Sequence, residues 1–127
     1  MKLLQISSLL FISNIIYSYY LQNNIYHHLT LLITIFSILN HGYNIKEKNI
    51  IKYIDKIIAH ITFFYITIND TPKIFIYNPY IIIYPIICAS LFISEYIFYK
   101  YYIIIHFCFH ITAVYSINIY LYNLQIK

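Results

Sequence analysis

YYIIIHFCFH, at residues 101–110, places two histidines four residues apart in an otherwise apolar segment. Positions i and i+4 of a helix share a face, with Cβ atoms about 5–6 Å apart. His106 and His110 can therefore reach one metal ion, as helical zinc ligands with this spacing do. Burying two polar rings in so apolar a segment costs free energy unless they have a partner. The stretch thus predicts a helix with two candidate metal ligands, and further ligands must come from elsewhere in the chain.

The composition is that of an integral membrane protein. Of the 127 residues, 61% are hydrophobic and 9% are charged, whereas soluble domains carry roughly 25% charged residues. Because lipid offers no water to the backbone polar groups, apolar segments of this kind are expected to be helical. The predicted fold class is therefore all-α, a polytopic transmembrane helix bundle that forms a single domain over residues 1–127. Ile, Tyr, Asn and Lys have AT-rich codons, and their abundance indicates an AT-rich viral or parasite genome and a host membrane or endomembrane as the location.

Hydrophobic length divides the chain into about five predicted spans, since a helix needs about 20 apolar residues to cross a bilayer. The spans cover residues 3–20, 25–41, 49–68, 77–99 and 101–122. Turn-forming residues at 22–24 and 69–72 separate two pairs of them. A cleaved signal peptide is the alternative for the first segment, but no small-x-small cleavage site follows it.

The distribution of lysines predicts the orientation. An odd number of spans puts the N-terminus and the second and fourth connections on one side of the membrane. That side carries Lys2, Lys46, Lys48, Lys52, Lys56 and Lys100, whereas the other side carries Lys73 and Lys127. The positive-inside rule makes the lysine-rich side, and hence the N-terminus, cytoplasmic. Because the lysines form no clustered basic face, no nucleic-acid partner is predicted.

Five polar side chains converge in one leaflet in this topology. His41 ends the second predicted span, Ser37 lies one turn deeper, and Asp55 lies one or two turns into the third span. At 1.5 Å per residue, His106 and His110 lie roughly 9–15 Å into the last span from the same side. The convergence depends on the odd number of spans, since an even number would reverse the last helix.

Three neutral imidazoles on two helices suit a catalytic zinc site, which has three protein ligands and an open position for water. Zn²⁺ lowers the pKa of that water to near 7 and polarises a carbonyl group. His41, His106 and His110 are the predicted metal ligands. Asp55 is the candidate to orient the water or accept its proton. The hydroxyl of Ser37 is a candidate to hold the oxyanion or the water.

In order and helix placement, these five residues resemble the signature of the alkaline ceramidase and adiponectin/progestin receptor superfamily. Members are seven-helix membrane proteins that are established or presumed zinc amide hydrolases. The resemblance implies that the three histidines bind Zn²⁺, that Asp55 holds the water and that Ser37 belongs to the same site. With five spans the chain is a shortened member, and no acidic residue precedes Glu47 to form the ceramidases' N-terminal calcium site. The implied function is zinc-dependent hydrolysis of a ceramide-like lipid amide or of an ester bond, with a membrane lipid as substrate.

Other interpretations stay open. A non-enzymatic membrane protein with a receptor or assembly role could keep the histidines for helix packing or for a structural metal. Histidines on different helices can also ligate haem iron, although two on one helix cannot straddle a porphyrin. His60, five residues after Asp55, could replace His41 as a ligand if His41 is too shallow. A homo-oligomer could supply the two helices that the larger family members have.

Overall fold

The structure is a computed structural model that describes residues 2–42 and 48–126. The sequence predicts a polar connection at residues 43–48 between the second and third spans, and all of it except residue 48 lies outside the described residues. Within the described ranges the chain is helical and contains no strand, which confirms the all-α prediction. The α-helices are α1 (Lys2–Leu9), α2 (Phe11–Tyr20), α3 (Asn24–Gly42), α4 (Lys48–Tyr65), α5 (Thr71–Phe75), α6 (Ile83–Ile97) and α7 (Tyr102–Gln125). A π-helical turn, Ile66–Asp70, joins α4 to α5, and 3₁₀ turns at Pro79–Ile82 and Tyr99–Tyr101 precede α6 and α7.

Three stretches of the described chain are long and apolar enough to cross a membrane. They are Leu3–Tyr20, Pro79–Ile97 and Tyr99–Gln125, and they coincide with the predicted spans at 3–20, 77–99 and 101–122. The predicted spans at 25–41 and 49–68 are helical as well, as α3 and α4. The count of five spans nevertheless stays a prediction, because neither α3 nor α4 is among the stretches that are apolar enough to cross a membrane.

The outer faces of the helices are apolar. Ile16 on α2, Ile57 on α4 and Ile104 on α7 are each more than half exposed. On a soluble protein such side chains would form an extended hydrophobic patch, whereas lipid tails accommodate them. Many of the side chains that point inward are small and polar, which is usual for helices that pack together in lipid.

The turn between α2 and α3 forms where the sequence predicts it, at 22–24. Gln22 adopts a left-handed backbone conformation with φ 54°, which is uncommon for a non-glycine residue. The side-chain oxygen of Asn23 accepts a hydrogen bond from the backbone N–H of Tyr26 at 3.1 Å and caps the start of α3. The chain thereby reverses within three residues, and α3 packs back along α2.

The second predicted turn, at 69–72, is a helical junction instead. The chain continues from α4 through the π-helical turn into α5, with Pro72 in the first turn of α5. Because proline lacks an N–H and clashes with the carbonyl four residues before it, the hydrogen-bond pattern must change there, and a π turn does this. Asp70 is not a solvated turn residue either, since it is 3% exposed.

The helices pack side by side in a series that begins with α4 and ends with α6. α3 packs against α1, α2 and α4, while α7 packs against α1, α2 and α6. The two ends of this series, α4 and α6, meet through side chains. The ring of His60 packs on Phe92 with centroids 4.7 Å apart, and Lys56 Nζ donates to the hydroxyl of Tyr96 at 3.3 Å.

Successive long helices run in opposite directions, so one end of the bundle holds the start of α1, the end of α3, the starts of α4 and α7 and the end of α6. We call this the histidine end, after His41, His106 and His110. Gln5 on α1 ties two of these helices together, because its Nε2 donates to the backbone carbonyls of His41 at 3.0 Å and Gly42 at 3.4 Å.

The opposite end of the bundle is closed by buried polar bonds beside the apolar core. Asp70 accepts hydrogen bonds from the hydroxyl of Tyr26 at 2.8 Å and from Lys73 Nζ at 3.1 Å. The hydroxyls of Thr71 and Tyr120 are 2.7 Å apart. The core residues are Phe11, Tyr26, Ile33, Ile74, Ile81, Ile117, Tyr120 and Leu121.

We expect Tyr26→Phe to lower the free energy of unfolding by about 2 kcal/mol, because it leaves a buried carboxylate without one of its two hydrogen bonds. Lys73, the remaining partner, is itself half exposed and compensates little. Thermal unfolding of the detergent-purified chain measures the change. Tyr20→Phe is the control, since Tyr20 is 79% exposed. Equal stability of the two variants would contradict a stabilising role for the buried bond.

Candidate metal centre

The structure brings the three predicted ligands together at the histidine end. One ring nitrogen each of His41 on α3 and of His106 and His110 on α7 lies within 4.8 Å of the other two. The Nε2 atoms of His41 and His106 are 3.2 Å apart. Two nitrogens bound tetrahedrally to one zinc ion at 2.0–2.1 Å are about 3.3 Å apart, so this pair already has the separation that a shared ion requires. The three histidines could therefore hold a metal ion.

The ring of His106 is oriented by an acidic residue on α6. Its Nδ1 lies 2.7 Å from Oε1 of Glu95, a side chain that is 6% exposed. Because an ionised carboxylate only accepts hydrogen bonds, Nδ1 of His106 carries the proton. In the neutral ring the lone pair is then on Nε2, the nitrogen that faces His41.

The ring of His110 is oriented by a serine on α1. Its Nδ1 lies 2.8 Å from Oγ of Ser7, which in turn lies 3.0 Å from the carbonyl of Leu4. When the hydroxyl of Ser7 donates to Leu4, Nδ1 of His110 is the donor in the hydrogen bond to Ser7. In that tautomer His110 also keeps a lone pair on Nε2, the form in which a neutral imidazole binds a metal.

Ser37 lies beside this cluster, is 1% exposed and shares a hydrogen bond with Ser8 on α1. Its Oγ is 2.8 Å from Oγ of Ser8, which in turn lies 2.8 Å from the carbonyl of Leu4. When Ser8 donates to Leu4, Ser37 donates to Ser8; when Ser8 donates to Ser37, the hydroxyl of Ser37 can donate to a water or an oxyanion. In both arrangements the oxygen of Ser37 can accept a hydrogen bond from a water.

Asp55 lies about two turns into α4 and is hydrogen-bonded to Asn40, the residue before His41. Its Oδ2 accepts a hydrogen bond from Nδ2 of Asn40 at 2.8 Å. Ser37, Asn40 and His41 share one face of the last turns of α3. No described lysine side chain lies within ion-pair distance of Asp55, and Lys56 bonds to Tyr96 instead. Of the described residues, none bonds to Oδ1 of Asp55.

An elongated, mostly apolar cavity of about 90 Å³ begins at these residues. Ser37, Asp55, Glu95, His106 and His110 all line it. Its wall on α7 repeats at helical spacing through His106, Phe109, His110, Ala113, Ser116, Ile117 and Tyr120. At 1.5 Å per residue, this wall extends about 21 Å from the histidines into the bundle. The polar cluster therefore stands at one end of a long apolar space.

His60 does not join the three histidines. Its Nδ1 bonds to the carbonyl of Lys56 at 2.5 Å, and its ring packs on Phe92. The residues that sequence reasoning missed are Ser7, Ser8, Asn40 and Glu95. Glu95 offered a signal, because it stands near the end of one predicted span and only 11 residues before His106.

Comparisons with known proteins find no relative. The chain matches no family model, no curated protein and no solved structure. The resemblance to the ceramidase and receptor superfamily stays a prediction.

Proposed function

We propose that this chain is a zinc-dependent integral-membrane hydrolase that cleaves a lipid amide or ester bond. The observation that carries the proposal is the histidine cluster, in which hydrogen bonds to Glu95 and Ser7 orient two of the three rings. The three apolar stretches support membrane embedding. A five-span bundle with a cytoplasmic N-terminus belongs to the proposal, and it would place the cluster in the cytoplasmic leaflet.

The donor set fits zinc. Imidazole nitrogens suit Zn²⁺, and catalytic zinc sites have three protein ligands with one position left open. When bound, Zn²⁺ would lower the pKa of a water molecule and polarise the carbonyl group under attack. The two carboxyl groups that line the cavity nearby, the partly buried Asp55 and the buried Glu95, are not needed as ligands and can serve other roles.

The side chains around the histidines supply the remaining functions. Oδ1 of Asp55, which no described residue engages, accepts a proton from the attacking water and returns it to the leaving amine or alcohol. Asn40 holds the other carboxylate oxygen and so fixes the direction of Oδ1. The oxygen of Ser37 accepts a hydrogen bond from the same water. The apolar cavity would receive the part of the acyl chain next to the reacting carbonyl group, and the products are a fatty acid and an amine or alcohol.

Fatty-acid release from ceramide and from diacylglycerol in mixed micelles tests the proposal. We expect the purified chain to release fatty acid from one of them. Treatment with a zinc chelator should reduce the rate to that of protein-free micelles, and one equivalent of Zn²⁺ should restore it. A rate that the chelator leaves unchanged would exclude a zinc-dependent reaction.

One observation favours a non-enzymatic role as the second candidate. A separation of 3.2 Å between Nε2 of His41 and Nε2 of His106 is also a hydrogen-bond distance. The histidines could then join α3 to α7 without a metal, as polar residues do between membrane helices. Bound zinc without turnover on either lipid would favour a structural metal, and absence of any bound metal would favour helix packing.

A further inference from the structure

We propose that Glu95 is a positioning residue of the metal centre, one that fixes His106 in its metal-binding orientation. The inference rests on the proposed function, since it requires the histidines to bind a metal. Glu95 lies on α6, a helix that contributes none of the three histidines, and its Oε1 is 2.7 Å from Nδ1 of His106. It would make the α6–α7 hairpin part of the centre.

The geometry supports an orienting role. Hydrogen bonds between a ring N–H and a carboxylate are strong and short, and 2.7 Å is at the short end of their range. The ring of His106 is also stacked between Tyr102 and Phe109, with interplanar angles of 24° and 28°. Stacking sets the plane of the ring, and the hydrogen bond to Glu95 turns Nδ1 toward α6. Together they leave Nε2 of His106 directed at His41.

The acidic side chains around the histidines also fit the bound cation that this role requires. Glu95 and Asp55 both line the cavity at the histidine end, and no described lysine side chain lies within ion-pair distance of either. A buried carboxylate without a compensating positive charge is costly. One divalent cation held by three neutral imidazoles would balance the two carboxylates. The acidic groups thus match the charge that the histidines would bind.

Removing an orienting partner of this kind lowers metal affinity. Loss of a carboxylate that holds a metal-binding histidine typically weakens metal binding by about 10–100-fold. We expect this loss in Glu95→Ala. Glu95→Gln should recover part of the affinity, because its amide oxygen can still accept the proton of Nδ1 of His106 while the negative charge is gone.

Zinc affinity, measured by competition with a chromophoric chelator, tests the inference on the full chain in detergent. The wild type, Glu95→Ala and Glu95→Gln are compared after loading with zinc alone. The cobalt-loaded proteins give a second readout, because the visible absorption of Co²⁺ reports the ligand geometry and would not change with a distant packing defect. Asp70→Asn is the matched control, since Asp70 is a buried acid at the opposite end of the bundle.

The expected order of affinity is wild type, then Glu95→Gln, then Glu95→Ala, with Asp70→Asn equal to the wild type. Wild-type affinity and an unchanged cobalt spectrum in Glu95→Ala would overturn the role of Glu95 and leave the proposed function standing. Equal losses in Glu95→Ala and Asp70→Asn, or in Glu95→Ala and Glu95→Gln, would also overturn orientation by this hydrogen bond. A wild-type chain that binds no zinc would remove both proposals.

Discussion

His110→Ala is expected to reduce the zinc content of the purified chain from about one ion per chain to background, because three protein ligands are the usual number at a catalytic site. The substitution removes one of the three imidazoles. It also removes the 2.8 Å hydrogen bond between His110 and Oγ of Ser7. Elemental analysis of the detergent-purified chain measures the ion directly. His106→Ala should give the same result.

His60→Ala is the matched control for this measurement. It removes an imidazole of the same size from a neighbouring helix, but His60 bonds to the carbonyl of Lys56 and packs on Phe92. We expect its zinc content to equal that of the wild type. If His110→Ala kept its metal, the histidine cluster would not be the binding site. If His60→Ala lost it, the effect would come from general destabilisation.

The helices could be read from the sequence because hydrophobic length is a strong signal. Every predicted span is helical in the structure, and three of the five are long and apolar enough to cross a membrane. The prediction failed at 69–72, where Asp70 and Pro72 suggested a turn. Tertiary contacts determine the backbone conformation of this segment, because the buried hydrogen bond between Asp70 and Tyr26 favours a continued helix over a solvated loop.

The histidine cluster was predictable because it follows from helix spacing and direction. Once the helices alternate, the end of α3 and the start of α7 must lie at one end, and i, i+4 spacing turns His106 and His110 to one face. The same reasoning would have included Glu95, since the end of α6 meets the start of α7 at a short connection. Glu95 is harder to predict as a site residue than the histidines, because a single acidic residue forms no i, i+4 pair that would mark it.

The partners on α1 could not be predicted. Serines in membrane helices usually bond back to their own helix, and both Ser7 and Ser8 do so through the carbonyl of Leu4. That they also meet His110 and Ser37 depends on the rotation of α1 about its axis. Sequence spacing carries no information on that rotation. The hydrogen bond between Ser8 and Ser37 is unpredictable for the same reason.

Asp55→Asn is expected to keep the bound zinc while lowering the rate of lipid hydrolysis by about 10²–10⁴-fold, the usual contribution of a general base. The side chain keeps its size, and an amide oxygen can still accept the hydrogen bond from Asn40 that now fixes Oδ2. What it loses is the basic oxygen that would take a proton from water. The metal should stay because none of the three clustered ligand atoms belongs to Asp55.

Lys52→Gln is the control for this second prediction. Lys52 lies one turn before Asp55 on α4 and is exposed, so the substitution changes a charge on the same helix without touching the cavity. We expect its rate and zinc content to match the wild type. Zinc loss in Asp55→Asn would make Asp55 a ligand or a partner of one. An amide cannot accept a proton from water as a carboxylate does. A wild-type rate in Asp55→Asn would therefore exclude Asp55 as the general base and leave it only the hydrogen bond to Asn40.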